Sequence, residues 1–248
     1  MIARLRDRGV RAVLLDIEGT TTPIAFVSDV LFPFARAHLT EFLHDARGSH
    51  ALDDLTRRLA AEHADDRAGA ERPPEWHDET TDQALASLSR YVTWLMDRDR
   101  KSPGLKLLQG LIWERGYQAG VLRGQVFPDV PPAIRRWRTD GIDVAIYSSG
   151  SELAQRRLFE STDDGDLTPL LAGFFDTAVG AKTVPASYRH IAAALKRRPE
   201  EILFVSDVSA ELSAGRAAGL QVVLSIRPGN APPSETVGLA SIRSFDEL

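Results

Sequence analysis

Five short apolar runs punctuate the chain, at residues 11–16, 141–148, 174–179, 201–206 and 221–226. They are rich in β-branched residues and nearly continuous instead of alternating. That pattern predicts strands of a parallel sheet covered by helices on both faces. Between the last four runs lie stretches of helical character, at 151–160, 186–197 and 209–218. In the second of these, Tyr188, Ile191 and Leu195 recur at helical spacing. Gly219 stands where the third would stop. The repeating strand–helix order predicts a doubly wound α/β sheet.

One connection breaks the rhythm. Asp16 and Ser148 are 132 positions apart, whereas an ordinary βαβ unit needs about 30 residues. The excess reads as helix at 28–47, 49–64, 78–100 and 103–120, with a Gly- and Pro-containing loop at 65–77. A last helix, 130–139, leads back to the sheet. The expected organisation is therefore an α/β core, 1–21 and 124–248, interrupted by an all-α insertion at 22–123. The Pro- and Gly-rich tail, 227–248, is expected to wrap the core.

Composition narrows the class. The chain has 248 residues and no cysteine, so disulfides, cysteine zinc sites and a thiol nucleophile are excluded. Thirty-five acids against 30 bases give a net charge of −5, which offers nothing to nucleic acid. No apolar run approaches the roughly 18 residues of a membrane span, and the N-terminus lacks a signal-peptide pattern. A cytoplasmic, globular protein without nucleic-acid or membrane partners is expected. Five of the six histidines, His38, His44, His50, His63 and His77, fall in the insertion and read as surface or structural groups.

The candidate chemistry sits at strand ends, where open α/β sheets bind ligands. The first run ends in Asp16-Ile-Glu18-Gly-Thr20, the second in Ser148-Ser149-Gly150-Ser151, and the fourth in Ser206-Asp207, with Glu211 four residues on. Lys182 follows the third run. Taken singly, Asp16 and Asp207 could each be a helix cap, Ser148–Ser151 a capping turn, and Lys182 and Glu211 solvated charges. Together they are harder to dismiss, because acids packed at one sheet edge repel unless a cation holds them. Hard oxygen donors suit Mg²⁺. A carboxylate nucleophile, a second carboxylate and a phosphate dianion carry about −4, against +3 from Mg²⁺ and Lys182. At an effective dielectric near 20, each unit pair about 4 Å apart is worth roughly 4 kcal/mol. Such placement of charge is most of phosphoryl-transfer catalysis.

Asp16-x-Glu18-Gly-Thr, Ser148, Lys182 and Asp207 resemble the four motifs of the haloacid dehalogenase-like phosphatases. The usual first motif has Asp at its third position, where this chain has Glu18. That departure, with Asp99-Arg-Lys-Ser102, Leu108-Gln-Gly110, Ile146-Tyr-Ser-Ser-Gly-Ser151 and Ile226-Arg-Pro-Gly-Asn230, is similar to the enolase-phosphatase branch of methionine salvage. The resemblance implies a monomeric enzyme with one Mg²⁺ per subunit. Its small phosphorylated substrate would be 2,3-diketo-5-methylthiopentyl 1-phosphate, enolised and then dephosphorylated to the acireductone.

Carried over by position, Asp16 would be the nucleophile and a metal ligand. Glu18 would offer its main-chain carbonyl to the metal and its side chain to the substrate, and Asp207 would be the other protein ligand. Ser148 and Ser149 would hold the phosphate, Lys182 would neutralise it, and Glu211 would orient the metal's waters. The insertion would be a cap excluding water, with Phe26, Val27, Arg100 and Lys101 as lining candidates. Three alternatives stand beside this reading. They are a generic Mg²⁺-dependent phosphomonoesterase of the same superfamily, a metal-free dehalogenase, and a non-catalytic phospho-ligand sensor.

Overall fold

The computed structural model describes residues 5–100, 102–232 and 238–248. The chain divides into two compact units, Met1–Asp29 with Ala119–Leu248, and Val30–Gln118.

The first unit holds six parallel strands: β1 (Ala12–Leu15), β2 (Asp143–Tyr147), β3 (Gly173–Phe175), β4 (Ile202–Ser206), β5 (Gln221–Ser225) and β6 (Ser241–Ile242), in spatial order β3-β2-β1-β4-β5-β6. Every residue of β1 and β4 is buried, as continuous apolar runs require. Alternation sends Ala12 and Leu14 to one face. There they join Tyr147, Ile202 and Phe204 under Tyr188 and Ile191 of the helix Pro185–Ala194 and Leu212 of the helix Ser209–Ala217. The helix Val130–Thr139 packs against β2, and its Trp137 meets Phe245 with ring centroids 5.4 Å apart.

Two differences from the expected elements have local causes. The third strand ends at Phe175, because the Asp176 carboxylate accepts from the Ala178 amide at 2.7 Å and turns the chain. The tail adds β6, whose two residues are too few to show a period; Ile226 N donates to Ile242 O at 2.8 Å. Arg136 also donates to the Phe245 carbonyl, so residues 238–248 are tied to the core.

The second unit is helical throughout its regular structure: Phe32–Ala37, Leu39–Asp45, His50–Asp66, Thr81–Asp97 and Pro103–Gln118. Ser49 and Thr80 cap the third and fourth by accepting from the Leu52 and Gln83 amides. The helix expected at 28–47 is broken. Pro33 has no N–H to give, and a widened helical turn, Val27–Leu31, precedes it. A second break falls at His38, whose ring bonds back to the Phe34 carbonyl. Leu55, Leu59, Leu88, Val92 and Leu108 form the buried interior of this unit. His63 is buried there against the Pro74 carbonyl. Arg100, expected to line a site, pairs with Asp66 at 2.6 Å, and Lys101 lies outside the described residues. Phe26 is buried and Val27 half-buried. No described helix is long and apolar enough to cross a membrane.

Candidate active site

From β1 the sheet grows through β2 and β3 in one direction; from β4 it grows through β5 and β6 in the other. β1 and β4 are therefore neighbours at the point of reversal, where such sheets open a crevice. Leu15 pairs with Val205, and the Asp16 amide donates to the Val205 carbonyl at 3.0 Å. Asp16 thus leaves β1 beside Asp207, which leaves β4. The Thr21 hydroxyl donates back to the Asp16 carbonyl at 3.0 Å and closes the turn after β1.

Lys182 enters this crevice from the loop after β3. Its Nζ lies 2.6 Å from Asp16 Oδ1 and 2.6 Å from Glu211 Oε2. Lys182 and Asp16 are buried and Glu211 is largely covered, with side-chain exposures of 9%, 6% and 12%. Ser206 completes the group: its hydroxyl donates to Glu211 at 2.9 Å and lies 3.5 Å from Asp16 Oδ2. Glu211 is therefore no solvated acid, and its ion pair with Lys182 is a contact the sequence reading did not draw. The N-cap position of the following helix falls on Val208, one residue past Asp207, and the Val208 amide donates to Ser206 Oγ at 3.1 Å.

The electrostatics follow from this crowding. Burial works against the Lys182 charge, but Asp16 and Glu211 outweigh it and hold the ammonium pKa above its ordinary value. Burial and Asp16 push Glu211 up, with Lys182 opposing. Asp207 is pushed up to about 7 by burial first, then by Asp16 and Glu211. Fully ionised, three carboxylates face one ammonium, a balance of about −2 that calls for a divalent cation. Among the described residues, no three His, Cys, Asp or Glu side chains group as a metal cage. The expected set needs only two carboxylates, with a main-chain carbonyl as third donor. The carboxylate chemistry of Asp16 and Asp207 fits Mg²⁺.

The turn after β1 is packed to its limit. A methyl group on Gly19 would lie 2.4 Å from Asp207 Oδ2 and 3.0 Å from Asn230 Oδ1, and the residue has φ of +68°. Only glycine fits there. The segment after β5 holds the same turn from the other side. Asn230 Nδ2 donates to the Gly19 carbonyl at 2.9 Å, Ser225 Oγ to the same oxygen at 3.3 Å, and Arg227 Nε to the Thr20 carbonyl at 3.1 Å. Arg227 is fixed in turn by Asp129 at 2.9 Å and by Phe127 and Phe245, each ring centroid 4.6 Å away. The motif at 226–230 pointed to this segment, but the sequence reading gave it no task.

The remaining candidates occupy the same edge of the sheet. Ile146 pairs with Leu15, so Ser148 and Ser149 leave β2 next to the Asp16 turn. Ser148 is half-buried and accepts from the Gly150 amide at 3.3 Å; Ser149 is exposed. Ser151 caps the helix Glu152–Glu160 by accepting from the Ala154 amide. Glu18 is exposed on the turn two residues past Asp16.

The chain is similar to several known proteins. The family model of haloacid dehalogenase-like hydrolases matches residues 10–219. An enolase-phosphatase E1 of Synechococcus elongatus is 49% identical over 96% of this chain and 98% of its own length. The enolase-phosphatase E1 of Drosophila melanogaster is 43% identical over 98% of this chain and 94% of its own. Among solved structures, the Unknown transcript 4 protein of Saccharomyces cerevisiae superposes with a TM-score of 0.76 at 30% identity, covering 96% of this chain and all of that one. With the buried acids and lysine at the sheet's reversal point, these likenesses settle the family: the chain belongs to the haloacid dehalogenase-like hydrolases, and within them to the enolase-phosphatases.

Proposed function

We propose that this chain enolises 2,3-diketo-5-methylthiopentyl 1-phosphate and then hydrolyses the enol phosphate to the acireductone 1,2-dihydroxy-3-keto-5-methylthiopentene, a step of methionine salvage. The observation that carries the chemistry is the buried contact of Lys182 with both Asp16 and Glu211, with Asp207 beside them. A phosphate ester bound here meets a carboxylate nucleophile already charge-matched by an ammonium.

Each side chain has a defined task in this proposal. Asp16 attacks phosphorus, forming an aspartyl phosphate as the ester oxygen leaves. Lys182 holds one oxygen of Asp16 in the free enzyme and shares its charge with the phosphate once substrate arrives. Ser148 and Ser149 hold phosphate oxygens. Glu211, bonded to Lys182 and Ser206, keeps the ammonium in place and orients the metal's waters. Asp16, Asp207 and the Glu18 main-chain carbonyl would hold one Mg²⁺ per subunit, which when bound neutralises phosphate charge. Glu18 would move the C1 proton to the C2 carbonyl oxygen to complete the enol; after taking up a further proton from water, it would protonate the leaving oxygen and then, as the carboxylate, activate the water that frees Asp16. The insertion at 22–123 would serve as a cap that keeps water from the bound substrate. The enzyme would act as a monomer in the cytoplasm.

Mixing enzyme with the diketo phosphate, with and without Mg²⁺, tests the reading when enediol absorbance and inorganic phosphate are followed together. Both signals are expected with Mg²⁺ present. Phosphate without an enediol identifies another phosphomonoesterase, and no phosphate from any ester identifies a binding protein.

The pKa of Asp207 adds a pH dependence. Protons compete with Mg²⁺ for this carboxylate, so apparent Mg²⁺ affinity falls up to about tenfold per unit as pH drops below 7. Titration calorimetry between pH 5.5 and 8 checks the slope; a flat profile removes Asp207 from the ligand set. In Mg²⁺-free protein the sign on stability is opposite to that of a salt-bridged acid. The folded state binds this proton more tightly than the unfolded chain does. The contribution is whole below pH ~4 and is lost as pH climbs through about 7.

A further inference from the structure

Lys182 lies in a stretch without helix or strand, between Phe175 and Pro185, and its side chain has four rotatable methylenes. Such a group is a poor candidate for fixed placement unless its backbone is held. Here it is held at three consecutive carbonyls. Tyr147 Oη donates to Gly180 O at 2.9 Å, Ser187 Oγ to Ala181 O at 2.8 Å, and Tyr188 Oη to Lys182 O at 2.6 Å. The Ala181 carbonyl also closes a turn with the Val184 amide at 3.0 Å.

The three donors are rooted in the core. Tyr147 and Tyr188 have no exposed surface and Ser187 has 1%. Tyr147 is the last residue of β2, and its ring meets that of Tyr188 edge-on, centroids 5.5 Å apart. Tyr188 in turn packs on Phe204 of β4, centroids 5.0 Å apart. The clamp is thus referenced to β2 and β4, strands that flank the one leading to Asp16. Tyr147 also presents its ring 5.7 Å from Lys182 Nζ. At Gly180, φ is +132°, and a methyl would lie 2.2 Å from Ser187 Oγ, so the serine hydroxyl occupies the space a side chain would need.

We propose that Tyr147, Ser187 and Tyr188 are positioning residues for phosphoryl transfer, setting the Lys182 ammonium at the point where it meets both Asp16 and the phosphate. The inference rests on the reading of Lys182 as the phosphate's counter-charge. A cation placed before substrate arrives needs no ordering during the reaction, whereas a misplacement of about an ångström costs up to about 100-fold in rate. Burial keeps both phenols protonated, and so donating, throughout the working pH range.

The test uses Tyr188→Phe, Tyr147→Phe and their double variant in the full chain, with kcat and inhibition by inorganic phosphate read at saturating Mg²⁺ and the activation constant from a separate Mg²⁺ titration. The expected pattern for Tyr188→Phe is a kcat lower by about tenfold and a phosphate inhibition constant higher by about tenfold, with the Mg²⁺ activation constant unchanged. A purely structural hydroxyl would instead lower the melting temperature and leave kcat per folded enzyme and phosphate inhibition as they were. Parent-like values of both in the double variant overturn the inference. Should the tyrosine variants not fold, Ser187→Ala, which changes volume least, decides on the same two readouts. Lys182→Ala in the same assay separates the two levels. Parent-like kinetics there overturn the role of Lys182 itself, while an inactive Lys182→Ala beside silent clamp variants overturns only the clamp.

Discussion

Asp16→Asn is expected to lower phosphate release by at least about 10⁴-fold while leaving enol formation running. The amide has the size and shape of the carboxylate but no charge and little nucleophilicity. The surroundings tolerate it: Lys182 keeps its partner Glu211, 2.6 Å from Nζ, and the main-chain links of residue 16 to Val205 and Thr21 do not involve the side chain. The variant therefore tests chemistry and not folding. Stopped at its first half, the enzyme would accumulate enol phosphate, visible as enediol-type absorbance without inorganic phosphate. Phosphate release above about 1% of the parent would remove Asp16 as the nucleophile.

Glu18→Gln is expected to abolish both halves of the reaction, with deuterium exchange at C1 lost along with phosphate release. The residue lies on the tight turn fixed by Gly19, Asn230 and Ser225, so its backbone is held while its side chain reaches outward. An aspartate here would serve to protonate the leaving oxygen. One more methylene carries the carboxylate more than an ångström further, toward the C1–H that lies between the ketone and the phosphate ester. Glu18→Asp separates these tasks: it should retain hydrolysis of a simple aryl phosphate and lose C1 exchange. Normal exchange in Glu18→Gln would assign enolisation to another base.

Asp16 and Asp207 were legible from sequence because they close apolar runs, and a run's end is a position in space once the sheet is parallel. Their meeting depends on β1 and β4 being neighbours, which the strand order supplies. The ion pair of Glu211 with Lys182 was not legible, because the lysine comes from a loop 29 positions earlier and no periodicity records that contact. Tyr188 was counted for its apolar ring at helical spacing, and the bond from its hydroxyl to Lys182 was invisible in that count. The tasks of Arg227 and Asn230 were not legible, since a hydrogen bond to a turn carbonyl leaves no pattern along the chain, and neither does the bond from Ser206 to Glu211. The break at His38 and the early end of β3 share one cause: side chains that bond locally to the backbone override a pattern read from hydrophobicity.

The position of β1 in the sheet has a consequence for how the protein is made. Its partner β2 begins at Asp143, 128 positions after Leu15, so β1 leaves the ribosome well before the strand it pairs with. At 5–20 residues per second, that is a wait of roughly 6–25 s with an apolar edge unpaired. Residues 30–118 are contiguous and built from local helical contacts, which form quickly. They can fold while the strand before them still waits, shortening the tether between β1 and β2 well before translation ends.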